Sequence, residues 1–266
     1  MNTVVFTDLD GSLLDRNSYS WDAAIPALER IAKRGTPWIL VTSKTRAEVQ
    51  RWRQLLGNNH PFVVENGGAV YVPREYFPLR VPGATVRDGY DVIEWGRPYA
   101  DLVAGLQAAS RFTRCRVAAF HAMSAEKVAR VCGLPIEDAV LAKQREYDEP
   151  FYIVDTERER QLQAAIAAQG LRCIHGGRFY HVGGDGDKAF AVRLLSAMFR
   201  EKNEHIVTIG LGDSLSDASF LRAVDVPVIV RSCHATALQS LVPYARLTSH
   251  EGSAGWNEAV LEALSC

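Results

Sequence analysis

Short apolar runs alternate with segments of helical periodicity along the first third of the chain. The runs at 4–6, 37–41 and 62–64 are rich in β-branched and other apolar residues, which predicts three buried strands. The segments between these runs repeat apolar residues at helical spacing and end at Gly35 and Gly57, which predicts two helices. A strand followed by a helix, twice in succession, predicts a parallel sheet with right-handed crossovers.

The pattern changes after Pro73 and returns near Lys188. In the intervening stretch, prolines, glycines and aromatic residues come first, and segments of helix and strand character follow. We predict that residues 84–183 form an inserted α+β cap and that residues 1–83 together with 184–266 form the core. The predicted fold class is therefore α/β, with a Rossmann-like parallel sheet and an inserted α+β cap domain.

Composition and charge narrow the classes of function. The chain has 266 residues, of which 47% are hydrophobic and 23% are charged, and its formal net charge is −1. This balance favours neither a nucleic-acid nor a membrane partner, and no run approaches the roughly 18 apolar residues of a membrane span. The five cysteines are scattered and form no CxxC pair, which is typical of free thiols in a reducing cytosol and not of a zinc site. Since the N-terminal residues do not resemble a signal peptide, we predict a cytoplasmic protein. We also predict a monomer or a homodimer.

Two acidic residues follow the first predicted strand. Asp8 and Asp10 stand one residue apart, and a Gly-Ser pair then turns the chain away from the sheet. The other polar residues at strand ends or helix starts are Thr42, Lys188, Asp213 and Asp217. Carboxylates that converge without a cation repel one another, and their hard oxygen atoms suit Mg²⁺. A lysine and a hydroxyl beside them suit a phosphoryl group.

Taken in chain order, these residues resemble a known set of motifs. DLDGSLLD, a threonine at the end of the second strand, a late lysine and GDSLSD are similar to the four motifs of the haloacid dehalogenase (HAD) superfamily of phosphatases. This resemblance covers about 1–80 and 185–266, and the inserted module looks like the cap of the Cof-type branch. The segments VTSKTRAEV, ENGGAVYVP, REYDEPF and GGRFYHVGG resemble the mannosyl-3-phosphoglycerate phosphatases over nearly the whole chain. Ser12 departs from the usual threonine but keeps a small hydroxyl.

The resemblance implies an aspartyl-phosphate mechanism. Asp8 is then the nucleophile and Asp10 the general acid and base. Thr42 and Lys188 hydrogen-bond the phosphoryl oxygens. The implied magnesium ligands are Asp8, Asp213 and Asp10, the last through its backbone carbonyl. Asp217 either orients Lys188 or a metal-bound water, or binds the metal directly.

The implied reaction is Mg²⁺-dependent hydrolysis of mannosyl- or glucosyl-3-phosphoglycerate to the glycosylglycerate and phosphate. Because the phosphoryl chemistry is common to such phosphatases, selectivity must come from residues that face the leaving group. A glycerate carboxylate is best bound by arginine, which points to Arg145 and Arg178 in the inserted module. Sugar hydroxyls suit carboxylates, which points to Glu146 and Asp148. The remaining candidates for substrate contact are His181, Ser43, Lys44, Glu65, Asn66 and Gly67.

Two other functions are compatible with parts of this pattern. A HAD phosphatase or phosphomutase for another sugar phosphate would share the core residues and differ in the cap. A catalytically silent sugar-phosphate sensor on the same fold should have lost Asp8 or Asp10, and both are present. An ion pump with similar motifs would need membrane spans, which the hydropathy pattern does not predict.

Overall fold

The computed structural model describes residues 2–78, 81, 83–176 and 178–265. Within these ranges the chain forms thirteen strands and ten α-helices. The strands are β1 (Asn2–Thr7), β2 (Trp38–Val41), β3 (Phe62–Val64), β4 (Ala69–Pro73), β5 (Thr85–Arg87), β6 (Tyr90–Glu94), β7 (Val117–Ala119), β8 (Asp148–Ile153), β9 (Arg172–His175), β10 (Tyr180–Gly183), β11 (Ile206–Gly212), β12 (Val226–Arg231) and β13 (Arg246–Glu251). The helices are α1 (Ile25–Arg34), α2 (Arg46–Leu56), α3 (Tyr99–Thr113), α4 (Ala125–Cys132), α5 (Ile136–Ala142), α6 (Glu159–Ala167), α7 (Lys188–Lys202), α8 (Ala218–Leu221), α9 (Ala235–Leu241) and α10 (Gly252–Ala263).

Nine of these strands form one large sheet. Their order is β13-β12-β11-β1-β2-β3-β4-β6-β5. The first six run parallel, and the last three are added antiparallel. Val4 and Phe6 of β1 pack in one apolar cluster while Val5 packs in another on the opposite face. Burial on both faces is expected for a parallel sheet between helical layers, and the predicted α/β fold class is confirmed.

Local signals set the boundaries of α2, which the sequence predicted. The helix begins after Thr45, whose hydroxyl accepts a hydrogen bond from the amide of Glu48 while the Glu48 carboxylate accepts one from the amide of Thr45. It ends at Gly57, which adopts a left-handed conformation with φ of +64°. The elements α5, α9 and β13 are not predicted by the sequence pattern, because short segments carry too few periodic positions to be distinguished from loops.

A second, antiparallel sheet lies in the inserted module, with the strand order β7-β8-β10-β9. Its strands and the helices α3 and α6 share a separate apolar cluster that includes Leu102, Phe151 and Leu162. Strands β5 and β6 do not belong to this sheet, because β6 pairs with β4 and extends the large sheet. The start of the inserted module, predicted at residue 84, is therefore corrected to a point after Glu94.

No helix in the described part of the chain has both the length and the apolar composition that crossing a bilayer requires. Four cysteines of that part are free thiols: Cys115, Cys132, Cys173 and Cys233.

Candidate active site

The candidate active site lies at the edge of the large sheet where four neighbouring parallel strands end. Asp8 follows β1, Thr42 follows β2, Glu65 follows β3 and Asp213 follows β11. Ligands of open α/β sheets bind outside this edge. Gly11, in the loop after β1, has φ of +88°, and a Cβ atom there would lie 2.5 Å from Oδ2 of Asp213. A glycine is therefore needed for the β1 loop to approach the end of β11 so closely.

Three buried carboxylates form the centre of the site. Asp8, Asp213 and Asp217 each place one oxygen within 4.8 Å of the oxygens of the other two. Burial raises the pKa of Asp8 to about 7, with Lys188 opposing the shift and Asp217 adding to it. Burial also raises the pKa of Asp213 well above its ordinary value. Buried oxygen donors that repel one another at this distance fit a hard divalent cation such as Mg²⁺.

Lys188, the first residue of α7, links two of these carboxylates. Its ammonium donates to Oδ1 of Asp8 at 2.8 Å and to Oδ1 of Asp217 at 2.7 Å. Burial opposes the positive charge, but Asp217 and Asp8 raise the pKa of Lys188 above its ordinary value, so the side chain stays protonated. Oδ2 of Asp217 accepts from the amides of Asp213 and Ser214 at 3.1 and 2.9 Å. Both oxygens of Asp217 are thus engaged by protein donors.

Asp10 is held from one side by Lys44. Oδ2 of Asp10 lies 3.0 Å from Nζ of Lys44, which also donates to Oε1 of Glu48 at 3.3 Å. Burial opposes the charge of Lys44, but Asp10 and Glu48 raise its pKa above the ordinary value. Oδ1 of Asp10 is buried and has no hydrogen-bond partner among the described residues. Thr42 is buried nearby, and its Oγ1 accepts from the amide of Lys44 at 3.2 Å.

A cavity of about 120 Å³ lies between the core edge and the inserted module. From the core it is lined by Asp8, Asp10, Arg16, Tyr19, Ser43, Lys44, Glu48, Lys188, Ser214 and Ser216. From the inserted module it is lined by Phe120, Cys132, Leu134, Ala142, Arg145, Pro150, Gly176, Arg178, Phe179 and His181. Pockets that enclose drug-sized ligands hold roughly 300–1,000 Å³, so this cavity is smaller than a typical ligand pocket.

The two arginines predicted to bind a carboxylate both line the cavity. Arg145 donates to the carbonyl of Ser43 at 2.7 Å and to the carbonyl of Ala142 at 3.1 Å. Arg178 donates to the carbonyl of Cys132. Each guanidinium has five N–H donors, so both side chains keep donors for a ligand.

Asp148 and His181 form a buried pair next to the cavity. Nδ1 of His181 lies 2.8 Å from Oδ1 of Asp148, and the Asn66 amide donates to Oδ2 of Asp148 at 2.7 Å. Burial opposes the charge of Asp148, but His181 and Arg145 lower the pKa of Asp148 below its ordinary value. The structure therefore gives Asp148 protein partners in place of the predicted sugar hydroxyls, whereas His181 lines the cavity.

Besides Thr42, five residues predicted to contact substrate are not among the described residues that line the cavity: Glu65, Asn66, Gly67, Glu146 and Asp148. The Glu65 carboxylate accepts from the amides of Glu146 and Tyr147 at 3.1 and 2.8 Å, and burial raises the pKa of Glu65 to about 8. Gly67 has φ of +93° and packs against the backbone at the start of α7. The side chain of Glu146 pairs with Arg87 at 3.1 Å. These contacts join the core to the inserted module and keep Glu146 away from the cavity.

Two residues of the loop after β1, Arg16 and Tyr19, also line the cavity and are not predicted by the sequence pattern. Arg16 forms an ion pair with Oδ2 of Asp213. Nζ of Lys44 lies 5.3 Å from the ring centroid of Tyr19. The Tyr19 hydroxyl donates to the carbonyl of Cys132 at 3.4 Å. A loop has no periodicity that would reveal where such side chains point. The one available signal was their position directly after the strand-end aspartates.

Comparison with known proteins agrees with this geometry. Residues 5–79 match the family model of haloacid dehalogenase-like hydrolases. The chain is 38% identical to a glucosyl-3-phosphoglycerate/mannosyl-3-phosphoglycerate phosphatase of Methanococcoides burtonii, over 99% of this chain and 98% of the relative. It is 37% identical to a protein of the same name from Persephonella marina, over 98% and 97% of the two chains.

Among solved structures, a protein of Thermoplasma acidophilum superposes with a TM-score of 0.68 and 18% identity, over 100% of this chain and 99% of that one. This likeness concerns the fold. The sequence relatives cover the core and the inserted module together. The chain therefore belongs to the glucosyl-3-phosphoglycerate/mannosyl-3-phosphoglycerate phosphatase family of haloacid dehalogenase-like hydrolases.

Proposed function

We propose that this protein hydrolyses the phosphate ester of a glucosyl- or mannosyl-3-phosphoglycerate, releasing the glycosylglycerate and inorganic phosphate. The observation that carries the proposal is the buried group formed by Asp8, Asp213 and Lys188 at the edge of the cavity. It places a carboxylate beside an ammonium and a second carboxylate, which suits attack on a phosphoryl group. The names of the relatives supply the class of substrate.

Asp8 is the proposed nucleophile. One of its oxygens forms a bond to phosphorus while the bond from phosphorus to the ester oxygen breaks, which gives an aspartyl-phosphate. Asp10 starts as the protonated carboxylic acid and gives its proton to the departing oxygen, and Lys44 orients the carboxyl group for this step. Asp10 then takes a proton from the water that attacks phosphorus, which frees phosphate and restores Asp8.

The remaining core residues stabilise the negative charge of the phosphoryl oxygens. Lys188 donates to Asp8 and is close enough to stabilise the phosphoryl oxygens as well. Asp8, Asp213 and the backbone carbonyl of Asp10 would hold Mg²⁺, which supplies further positive charge to those oxygens. Because both oxygens of Asp217 have protein partners, we propose that it positions Lys188 and not the metal directly.

Recognition of the leaving group is assigned to the inserted module. Arg178 and Arg145 line the cavity and keep unused N–H donors, which suits the glycerate carboxylate. Phe120 and Phe179 pack edge to face and present an apolar surface for the sugar ring. We further propose that the protein acts in a reducing cytosol, as the free cysteines favour.

The test is phosphate release from a panel of purified esters with and without Mg²⁺. The panel contains glucosyl- and mannosyl-3-phosphoglycerate, several hexose phosphates and nitrophenyl phosphate. We expect kcat/KM to be highest for a glycosyl-3-phosphoglycerate and to fall to background after chelation. Preferred hydrolysis of a hexose phosphate, or isomerisation of it without phosphate release, would instead support the alternative of another sugar phosphatase or a phosphomutase. Full activity after exhaustive chelation contradicts the role of the metal.

A further inference from the structure

Arg16 contacts a residue that the proposed reaction needs for its metal. Its guanidinium pairs with Oδ2 of Asp213, the carboxylate that follows β11. The side chain of Asp213 is fully buried, whereas that of Arg16 is 29% exposed and lines the cavity. Burial opposes the charge of Arg16, but Asp213 raises the pKa of Arg16 above its ordinary value. A fixed cation thus lies on one side of the acidic cluster.

The two oxygens of Asp213 are both engaged. Oδ1 accepts from the hydroxyl of Ser12 at 3.1 Å, and Oδ2 accepts from Arg16. Ser12 is completely buried and cannot withdraw without moving the loop after β1. Arg16 is the partner that reaches the cavity. A divalent cation that takes an oxygen of Asp213 must therefore compete with Arg16.

A displaced Arg16 would still lie at the cavity. It lies in the loop that also carries Tyr19, on the same cavity wall as Lys44. Arg145 and Arg178 lie on the opposite wall and keep unused N–H donors, so Arg16 would meet the same carboxylate from the other side of the cavity. A guanidinium released from a carboxylate matches a second carboxylate in the same planar, bidentate geometry.

We propose that Arg16 is a displaceable cation, which a divalent metal drives from Asp213 and which then binds the carboxylate of the substrate. The competition between the metal and Arg16 for Asp213 is inferred from the observed contacts alone. The second half of the proposal rests on the proposed function, because it needs a leaving group with a carboxylate. Arg16 is then a specificity residue whose availability depends on the metal.

The first test measures binding of Mg²⁺ and Mn²⁺ by calorimetry, without substrate, to the wild type, Arg16→Gln and Arg178→Gln. Removing a competing cation should tighten metal binding of Arg16→Gln by about tenfold, within the usual range of coupling between two ligands. Arg178→Gln removes a cavity arginine that contacts a carbonyl, and should bind metal as the wild type does. Arg16→Lys, which keeps a cation, should stay close to the wild type. Equal or weaker binding by Arg16→Gln overturns the proposal.

Thermal melts keep this test informative if metal-free Arg16→Gln is poorly folded. Mg²⁺ should then raise the Tm of Arg16→Gln more than the Tm of the wild type, because the metal replaces the missing cation. A rise in Tm equal to or smaller than that of the wild type overturns the proposal that Arg16 and the metal compete for Asp213.

The second test measures kinetics at saturating Mg²⁺. Arg16→Gln should raise KM for a glycosyl-3-phosphoglycerate about tenfold, by loss of a charged hydrogen bond, with a much smaller change for nitrophenyl phosphate. If Arg16→Gln binds metal more tightly but changes KM equally for both esters, Arg16 does not bind the substrate carboxylate. If the wild type does not hydrolyse glycosyl-3-phosphoglycerates, the proposed function fails, while the metal measurements still decide the competition.

Discussion

The core edge and the inserted module line one cavity, but they hold their charged groups in different ways. On the core side, Lys188 contacts two buried carboxylates at 2.7 and 2.8 Å, and each partner is fixed at the end of a strand or the start of a helix. On the opposite side, the exposed residue Arg178 donates to the backbone carbonyl of Cys132. The phosphoryl site is therefore organised before the substrate arrives, whereas Arg178 is exposed and keeps N–H donors for the leaving group.

The largest expected effect is on the core side, at the nucleophile. Asp8→Asn should keep the fold and lower turnover on the order of 10⁶-fold, the scale seen when an enzyme loses its nucleophile, because an amide does not attack phosphorus. Phosphate release and circular dichroism measure the two effects. Turnover near the wild-type rate, in protein shown by mass spectrometry to be free of deamidation, would contradict the assignment.

Asp10 lies where the two regions meet and should show the next largest effect. Asp10→Ala should lose roughly 10²–10⁴-fold in kcat for a glycosyl-3-phosphoglycerate, which is what a positioned general acid contributes. The loss should be smaller for nitrophenyl phosphate, because its leaving group departs without a proton. Equal losses for both esters would contradict the assignment of Asp10 as the general acid.

Lys188 tests whether the core charges also support the fold. Lys188→Met should lower the free energy of unfolding of the metal-free protein by about 3–5 kcal/mol, since it leaves buried carboxylates without their cation. Urea unfolding measures the change, with Lys33→Met at an exposed position of α1 as the control. A change no larger than that of the control would mean that water or an ion replaces the ammonium.

Glu65 joins the core to the inserted module, and its burial makes the free energy of unfolding depend on pH. Burial raises its pKa in the folded protein to about 8 from an ordinary 4.5, so the folded state binds this proton more tightly. Its contribution to stability is complete below about pH 4.5 and is lost as the pH rises to 8.

Glu65→Gln should remove this fall in unfolding free energy, on the order of a few kcal/mol, because a neutral amide oxygen can accept from the same backbone amides. Urea unfolding at pH 5 and pH 8 measures the slope, with the exposed Glu29→Gln as the control. A slope that matches the wild type would show that Glu65 is ionised at both pH values.

The smallest effect is expected in the inserted module. Arg178→Ala should lower kcat/KM for a glycosyl-3-phosphoglycerate by about 10- to 100-fold, as for loss of a charged hydrogen bond, and should barely affect nitrophenyl phosphate. Arg145→Ala should affect both esters, because Arg145 also holds the carbonyl of Ser43. If Arg178→Ala lowers kcat/KM equally for both esters, Arg178 supports the cavity wall and does not bind the leaving group.

The sequence by itself determined the parallel core and the identity of its acidic and basic side chains. Strand runs, helix-ending glycines and the capping box of α2 are short-range signals, and each acts within a few residues of its position. The strand-end position of Asp8 follows from the same rules, because parallel strands end at a common edge. The pattern could not show that β5 and β6 extend the core sheet, since the choice of sheet depends on pairing with β4.

Only the tertiary structure decided which polar side chains face the cavity. Arg145 and Glu146 are neighbours in the chain, yet Arg145 enters the cavity while Glu146 pairs with Arg87 outside it. The Glu65 carboxylate accepts from two backbone amides of the inserted module and so connects the two regions. Arg16, in a loop without periodicity, pairs with the proposed metal ligand Asp213. The physical reason is that a polar side chain turns toward the partner that compensates its charge, and these partners are distant in the sequence.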